Sequence, residues 1–335
     1  MVPQDVSPPA GDPPPMREIS EDLVAVAVRA PSIHNTQPWR FRVVGEALEL
    51  SADPRRRLAA TDRDGREMVI SCGAALFGLR LAVRGLGYRP RVEMLPDLGS
   101  VEPLARLRLG EAAAPGTGER RLLAAMRRRH THRGPFAAGS LPPGLVVGLQ
   151  REAEVEGASL AMIRDSQQYG QLRNLVAVDG HEYRYDPGRL AEIQAWTRPA
   201  GSGCPDGVPG TAYAARPGRR HGTLPQRDFD LGRGWGTQLE EPGEPAATAV
   251  LLTAGDGVAD WLRAGGALYR ILLRAAHQGV FASLYTQVLE APPTRDAVRA
   301  GLQLPGAPQL ILQLGRAHTT APPTPRRPQP TSSAR

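Results

Sequence analysis

The chain has 335 residues, 41% apolar and 5% aromatic, a length that suits two compact halves with cores built mainly from Leu, Val, Ala and Ile. Its formal charge of +7 raises nucleic acid as a partner, but the arginines are spread along the chain and no recognition-helix, zinc-finger or RNA-binding signature accompanies them. Cys72 and Cys204 make neither a disulfide framework nor a zinc site, and no run of eighteen apolar residues or signal-peptide core occurs, so a cytoplasmic protein without a membrane partner is expected.

Residues 1–16, with Pro13-Pro14-Pro15, read as a disordered tail. Ser20-Glu21-Asp22 reads as an N-cap with first-turn acids, starting a helix that carries Leu23, Val24, Val26, Ala27 and Ala30. Pro31 and Pro38 bias Ala30 and Gln37 away from helix, so a rigid loop leads into a strand from Trp39. Ser32, His34, Asn35, Thr36 and Gln37 give that loop hydroxyl, imidazole and amide groups. Two readings fit. The loop grips the polar edge of a flat heterocycle, or it is a tight turn in which Asn35 satisfies its own backbone.

The stretch Pro31-Ser32-x-His34-Asn35-Thr36-Gln37-Pro38-Trp39 resembles the flavin-contacting loop of the FMN-dependent nitroreductase superfamily. With His34 and Thr36 it is similar to the form of the single-chain actinobacterial Acg-type branch.

Beyond the loop, Phe41 and Val43 with Leu48 and Leu50 predict a strand pair turning at Gly45-Glu46. Glu67 to about Leu86 predicts a long helix with a wide apolar face that includes Cys72, a buried thiol. Short strands follow at 91–95 and 104–109, and a Gly/Ala/Pro stretch at 110–118 closes the first half. A helix from Glu119 runs into Arg128-Arg129-His130-Thr131-His132-Arg133-Gly134-Pro135-Phe136, where guanidinium and hydroxyl groups suit a phosphate, or form a solvated charge run. His130 and His132 lack a third ligand, so no metal is expected. Arg129-x-Thr131-x-Arg133 with Phe136 resembles the Arg-x-Ser-x-Arg/Lys element that grips FMN at the start of classical nitroreductase chains.

Helices are expected at 142–157, 167–178 and 183–196, around a strand at 160–163. Residues 198–245 turn to Gly and Pro; a loop this long is functional or disordered, and Asp206-Gly207-Val208-Pro209 is similar to the Acg-type lid over the flavin. Ala249–Thr253 reads as a buried strand, followed by an amphipathic helix after Asp256 and Asp260. Then come a segment with Ser283 and Gln287, a helix 295–301 capped by Thr294, and a strand 309–316 ending in Gly315-Arg316. In the tail from Ala317, Arg326 and Arg327 read as solvent-exposed charge.

The resemblance implies an α+β, nitroreductase-like fold: two degenerate halves, 17–118 and 119–316, fused as a pseudo-dimer, each a mainly antiparallel sheet with packed helices. It implies one FMN between them. Pro31, Ser32, His34, Asn35 and Gln37 would meet it from one side. Arg129, Thr131, Arg133, Ser283, Gln287, Gly315 and Arg316 would meet it from the other. NAD(P)H would be the reductant and a nitroaromatic or quinone the acceptor, with the chain a monomer or a homodimer. The same resemblance leaves room for a protein that sequesters FMN without turnover; a nucleic-acid-binding protein is the remote alternative.

Overall fold

The computed structural model describes residues 12–97, 99–100, 102–215, 224–238, 247–317, 323–328 and 332–333. The expected N-terminal tail lies outside them up to residue 11, and parts of the 198–245 stretch and of the C-terminal tail do too.

In the first half, α1 (Met16–Ala27) leads through the motif loop to β1 (Trp39–Val44) and β2 (Ala47–Ala52). Then come α2 (Arg66–Gly85), β3 (Tyr88–Met94) and β4 (Ala105–Ala112), with α3 (Thr117–Ala125) at the expected boundary between the halves. The predicted start of α1 at Ser20 is corrected to Met16, directly after Pro15. Met16 is 1% exposed and anchors the first turn in the core, while Ser20 turns its hydroxyl back to the Arg17 carbonyl.

The second half holds α4 (Leu145–Val155), β5 (Ser159–Ile163), α5 (Ser166–Tyr183) and α6 (Pro187–Trp196). A short parallel pair follows, β6 (Thr197–Arg198) with β7 (Val208–Pro209). The chain then runs through β8 (Ala247–Thr253), α7 (Val258–His277), β9 (Phe281–Leu284), α8 (Pro292–Gly301) and β10 (Ala307–Gly315). Thr294 does not cap α8; the helix opens on Pro292 after Ala291, because proline's fixed φ suits the first turn.

The two sheets share one topology. The first runs β1-β2-β4-β3, extended at its edge by β11 (Ser332–Ser333) pairing parallel to β1; the second runs β5-β8-β10-β9. Numbered within its own half, each has the order 1-2-4-3 with all neighbours antiparallel. In each, a 20-residue helix connects the second strand to the third. The second sheet is covered on both faces. Leu251, Leu312 and Leu314 face α4 and α7, whereas Val250, Leu252 and Ile311 face α5 and α8. That is why 249–252 is apolar without a break.

The helices α2 and α7 join the halves. Leu262, Tyr269, Leu273 and Ala276 of α7 pack into the first core, and Ile70 of α2 packs into the second. Their axes approach so closely that a Cβ on Gly73 would lie 2.2 Å from the Leu262 carbonyl oxygen, and one on Gly265 2.0 Å from that of Ile70. Only glycine permits this contact. Apolar residues of α3 and the turn after it, Leu122, Leu123 and Met126, join the first core.

Candidate functional site

The motif loop is held in an unfavourable backbone shape. His34, Asn35 and Gln37 all have positive φ, at 43°, 56° and 50°, and side chains other than glycine's resist that region by roughly 1–2 kcal/mol each. Contacts from distant segments fix it. The Ile33 amide donates to Ser71 Oγ at 3.2 Å and the Gln37 amide to Ser32 Oγ at 3.0 Å. Asn35 donates to the Gly207 carbonyl at 3.1 Å and Gln37 to that of Pro205 at 2.8 Å. The C-terminal tail closes the other side, with the Arg327 amide donating to Gln37 Oε1 at 2.9 Å.

Arg326 is not the solvated charge the sequence suggests. Its guanidinium donates to Val28 O at 2.7 Å, Ala30 O at 3.1 Å and Asn35 Oδ1 at 3.0 Å. The first two are carbonyls just beyond α1, where a cation is favoured. Arg129, 6% exposed, reaches the same end through Arg29 O at 3.2 Å and lies 5.8 Å from the Tyr269 ring centroid. Burial and the neighbouring Arg129 push the Arg326 pKa down to about 9.

The Arg128–Phe136 segment runs beside β9. The His132 amide donates to the Ala282 carbonyl at 2.9 Å, and Ser283 Oγ donates to the His132 carbonyl at 2.6 Å. This backbone pairing, with Thr131 bridged to the same strand, sets an alternation along the segment. His130 packs on Phe281 and His132 on Phe136, whereas Thr131 and Arg133 turn to the cavity.

A cavity of about 910 Å³ lies between the two halves. Its wall takes Pro31, Ser32 and His34 from the motif loop, Thr131 and Arg133 from the second segment, and Ser283 and Gln287 from β9 and beyond. Ile70, Leu268, Val288 and Leu310 give it apolar surface, and Phe229 and Arg227 enter from the 198–245 stretch. Asn35, Gln37, Arg129, Gly315 and Arg316 do not line it. The amides of Asn35 and Gln37 are spent on the tail and on residues 205–207. Arg316 is exposed, and Gly315 packs against Phe136 so closely that a Cβ would lie 2.6 Å from its ring.

Arg133 meets no carboxylate among the described residues. It lies 5.3 Å from the Phe229 ring centroid, and burial, then the charges of Arg227 and Arg129, push its pKa down to about 10. A guanidinium that faces the cavity without a carboxylate partner favours an anion there.

Sequence reasoning missed Arg227, which donates to His34 Nε2 at 3.0 Å and Tyr183 Oη at 3.2 Å and forms an ion pair with the buried Glu290. A guanidinium only donates, so Nε2 accepts and the imidazole proton sits on Nδ1. Burial and then the charges of Arg227 and Arg133 hold the His34 pKa well below 6.5. Its Nδ1 is buried with no partner among the described residues, leaving a donor unspent. Glu67, also missed, lines the cavity; burial pushes its pKa up to about 7 despite its ion pair with Arg66. Arg66 in turn donates to Gln309 O at 3.0 Å and Leu289 O at 3.2 Å, tying the first half to the second. The only signal in the sequence was the Arg-Glu pair opening α2, which reads equally well as first-turn charge.

A histidine whose folded pKa lies below its ordinary value binds fewer protons folded than unfolded. Its contribution to stability is therefore present above pH 6.5 and lost as the pH falls below it. His34→Gln should flatten the acid limb of the thermal stability curve by up to about 1.4 kcal/mol per pH unit. Burial pushes the pKa of Glu67 and of Glu290 up to about 7, which acts in the opposite sense, so native and variant are compared at each pH. Parallel curves from pH 7.5 to about 5.5 would contradict the assignment.

No family model matches the chain. Curated relatives do. The Mycobacterium tuberculosis protein named "Putative NAD(P)H nitroreductase Rv3131" is 35% identical over 323 residues, covering 93% of this chain and 90% of its own length. "Putative NAD(P)H nitroreductase acg" from the same organism is 30% identical over 317 residues, covering 93% and 94%. Among solved structures, the FMN-dependent nitroreductase NfnB from Mycobacterium smegmatis, in complex with NADPH, matches at 17% identity with a TM-score of 0.40, covering 62% of this chain and 94% of its own. The chain belongs to the nitroreductase family that these mycobacterial relatives represent, on the acg branch.

Proposed function

We propose that the chain binds one FMN in the cavity between its halves and acts as an FMN-dependent NAD(P)H oxidoreductase on a nitroaromatic or quinone acceptor. One observation carries this reading: the motif loop of the first half and the arginine segment of the second line the same cavity, with Arg133 unmatched by any carboxylate among the described residues. The repeated 1-2-4-3 topology supports reading the halves as a fused pseudo-dimer.

The wall suits the cofactor. Arg133, Thr131 and Ser32 offer donors for its polar and anionic groups, and the His34 Nδ1 proton has no other partner among the described residues. Ile70, Leu268 and Leu310 give a flat ring an apolar seat. When bound, FMN supplies two-electron redox chemistry. The protein's part is to bind, orient and exclude water. Arg133 stabilises negative charge on the ligand, and His34, kept neutral, donates a hydrogen bond without adding a further cation. Asn35, Gln37, Arg129, Gly315 and Arg316 act from behind the wall, holding the loop and the segment in place.

A second reading has its own support. Tyr213, Arg227 and Phe229 close over the cavity, and Arg227 is latched to Glu290, as in a lid that keeps reductant out of an FMN store. Rapid mixing with NADPH separates the two. Reduction within seconds supports the oxidoreductase, and a flavin that stays oxidised supports sequestration. Under the second reading Arg227→Ala should accelerate reduction by at least about tenfold, since it removes a buried ion pair worth more than about 1.4 kcal/mol.

A further inference from the structure

One part of the cavity wall is left unused by the functional reading. It is built by α5 and the residue that follows it. Arg173, Ala177, Gly180 and Arg184 all line the cavity, and at 100° per residue they fall within an arc of about 60°. The two arginines are about 16 Å apart along the helix axis. Between them the helix is bare, since Ala177 and Gly180 present almost no side chain; the nearest atom to a Cβ built on Gly180 is Gln287 Nε2, at 3.8 Å. Neither guanidinium has an ion pair or side-chain hydrogen bond among the described residues. Both are exposed at the cavity mouth, unlike Arg227, which Glu290 neutralises.

Beside Arg184 stands Tyr185, 74% exposed, its ring 5.2 Å from that of His181, which also lines the mouth. An aromatic ring left in water beside one unpaired cation, with a second further along the helix, is a platform for a base attached to phosphates. A neutral nitroaromatic or quinone has no use for two cations spread over this distance. A dinucleotide does, because it carries charge at its pyrophosphate and, in the phosphorylated form, again at the ribose.

We propose that this face of α5 docks the phosphorylated nicotinamide dinucleotide, with Arg173 and Arg184 meeting its phosphates and Tyr185 its adenine, so that the protein selects NADPH over NADH. The inference rests on the cofactor reading above, which assigns FMN to the same cavity. A dianionic ribose phosphate held by one guanidinium gains a charge-assisted interaction that NADH lacks.

The test is titration calorimetry of the flavin-loaded protein with NADPH, with NADH and with 2′,5′-ADP, comparing native, Arg173→Ala/Arg184→Ala and Tyr185→Ala. NADPH should bind native protein at least about tenfold tighter than NADH. The double variant should lose about 10- to 100-fold for NADPH and 2′,5′-ADP and a clearly smaller amount, about three- to tenfold, for NADH, which gives up only its pyrophosphate contact, with FMN content and melting temperature unchanged. Tyr185→Ala should weaken both dinucleotides together. Equal native affinities, equal losses for the two dinucleotides, or no loss of 2′,5′-ADP binding would overturn the proposal. FMN content is read separately. A protein that takes up no FMN fails the cofactor reading, whereas one that binds FMN yet ignores the ribose phosphate fails this inference alone.

Discussion

Replacing Gly265 by alanine should abolish the soluble, folded protein. The added Cβ would lie 2.0 Å from the Ile70 carbonyl oxygen and 2.6 Å from the Ala74 amide nitrogen, both backbone atoms of α2 that no rotamer change can move. Relief requires the α2 and α7 axes to part by about an ångström. Both cores run through that contact, since Leu262 and Tyr269 pack into one and Ile70 into the other. Overpacking of this kind costs about 1–3 kcal/mol where side chains can yield, and more where only backbone can. Against a total stability of about 5–15 kcal/mol, that loss should be seen as inclusion bodies or a steeply lowered melting temperature. Gly118→Ala is the control. It lies within α3 with nothing within 4 Å of the new Cβ, and it should raise stability by up to about 1 kcal/mol. A native-like melting temperature for Gly265→Ala would mean that the halves are not clamped at this point.

The second large effect is expected at Arg133. It is the cation of the second-half segment that reaches the cavity wall, and no carboxylate among the described residues matches it. Arg133→Met keeps the length and removes the charge. A charge-assisted contact contributes about 1.5–3 kcal/mol, so FMN affinity should fall about 10- to 150-fold, read by fluorescence titration of the apoprotein. Fold stability should not fall. Burial beside Arg227 and Arg129 already disfavours this charge, so the variant should melt at or above the native temperature in the absence of FMN. Unchanged FMN affinity would remove Arg133 from the site.

Periodicity made much of this fold legible. The wide apolar face of α2 and the unbroken run of β8 follow from burial on more than one side, and both elements lie where the residues indicate, to within a few positions. The start of α1 was obscured because Ser20-Glu21-Asp22 carries cap chemistry while Met16 is fixed by tertiary packing. The motif loop and the arginine segment were recognisable as chemistry, and seven of the twelve expected site residues, Pro31, Ser32, His34, Thr131, Arg133, Ser283 and Gln287, share the cavity wall. The rest depended on contacts across the chain. Asn35 meets Arg326, 291 positions away, and His34 meets Arg227, 193 positions away. Local pattern has no way to encode such pairs.

The 198–245 stretch is the clearest case. Its Gly/Pro composition suits disorder as well as structure, yet residues 230–236 within it fold around one carboxylate. Asp230 accepts from the amides of Gly234, Trp235 and Gly236 at 2.7–2.9 Å, and Tyr213 and Phe229 pack with Ile193 beneath it. Those backbone donors hold the Asp230 carboxyl below its usual range against the effect of burial.

The claim that a loop from one half and an arginine segment from the other enclose a single flavin is tested most directly by the FMN content of the purified chain, measured together with its mass in solution. Visible flavin absorbance at one FMN per chain, in a particle of one chain or with two flavins in a particle of two, is the predicted result. A colourless protein that takes up no FMN on titration, or one FMN shared between two chains, would contradict it.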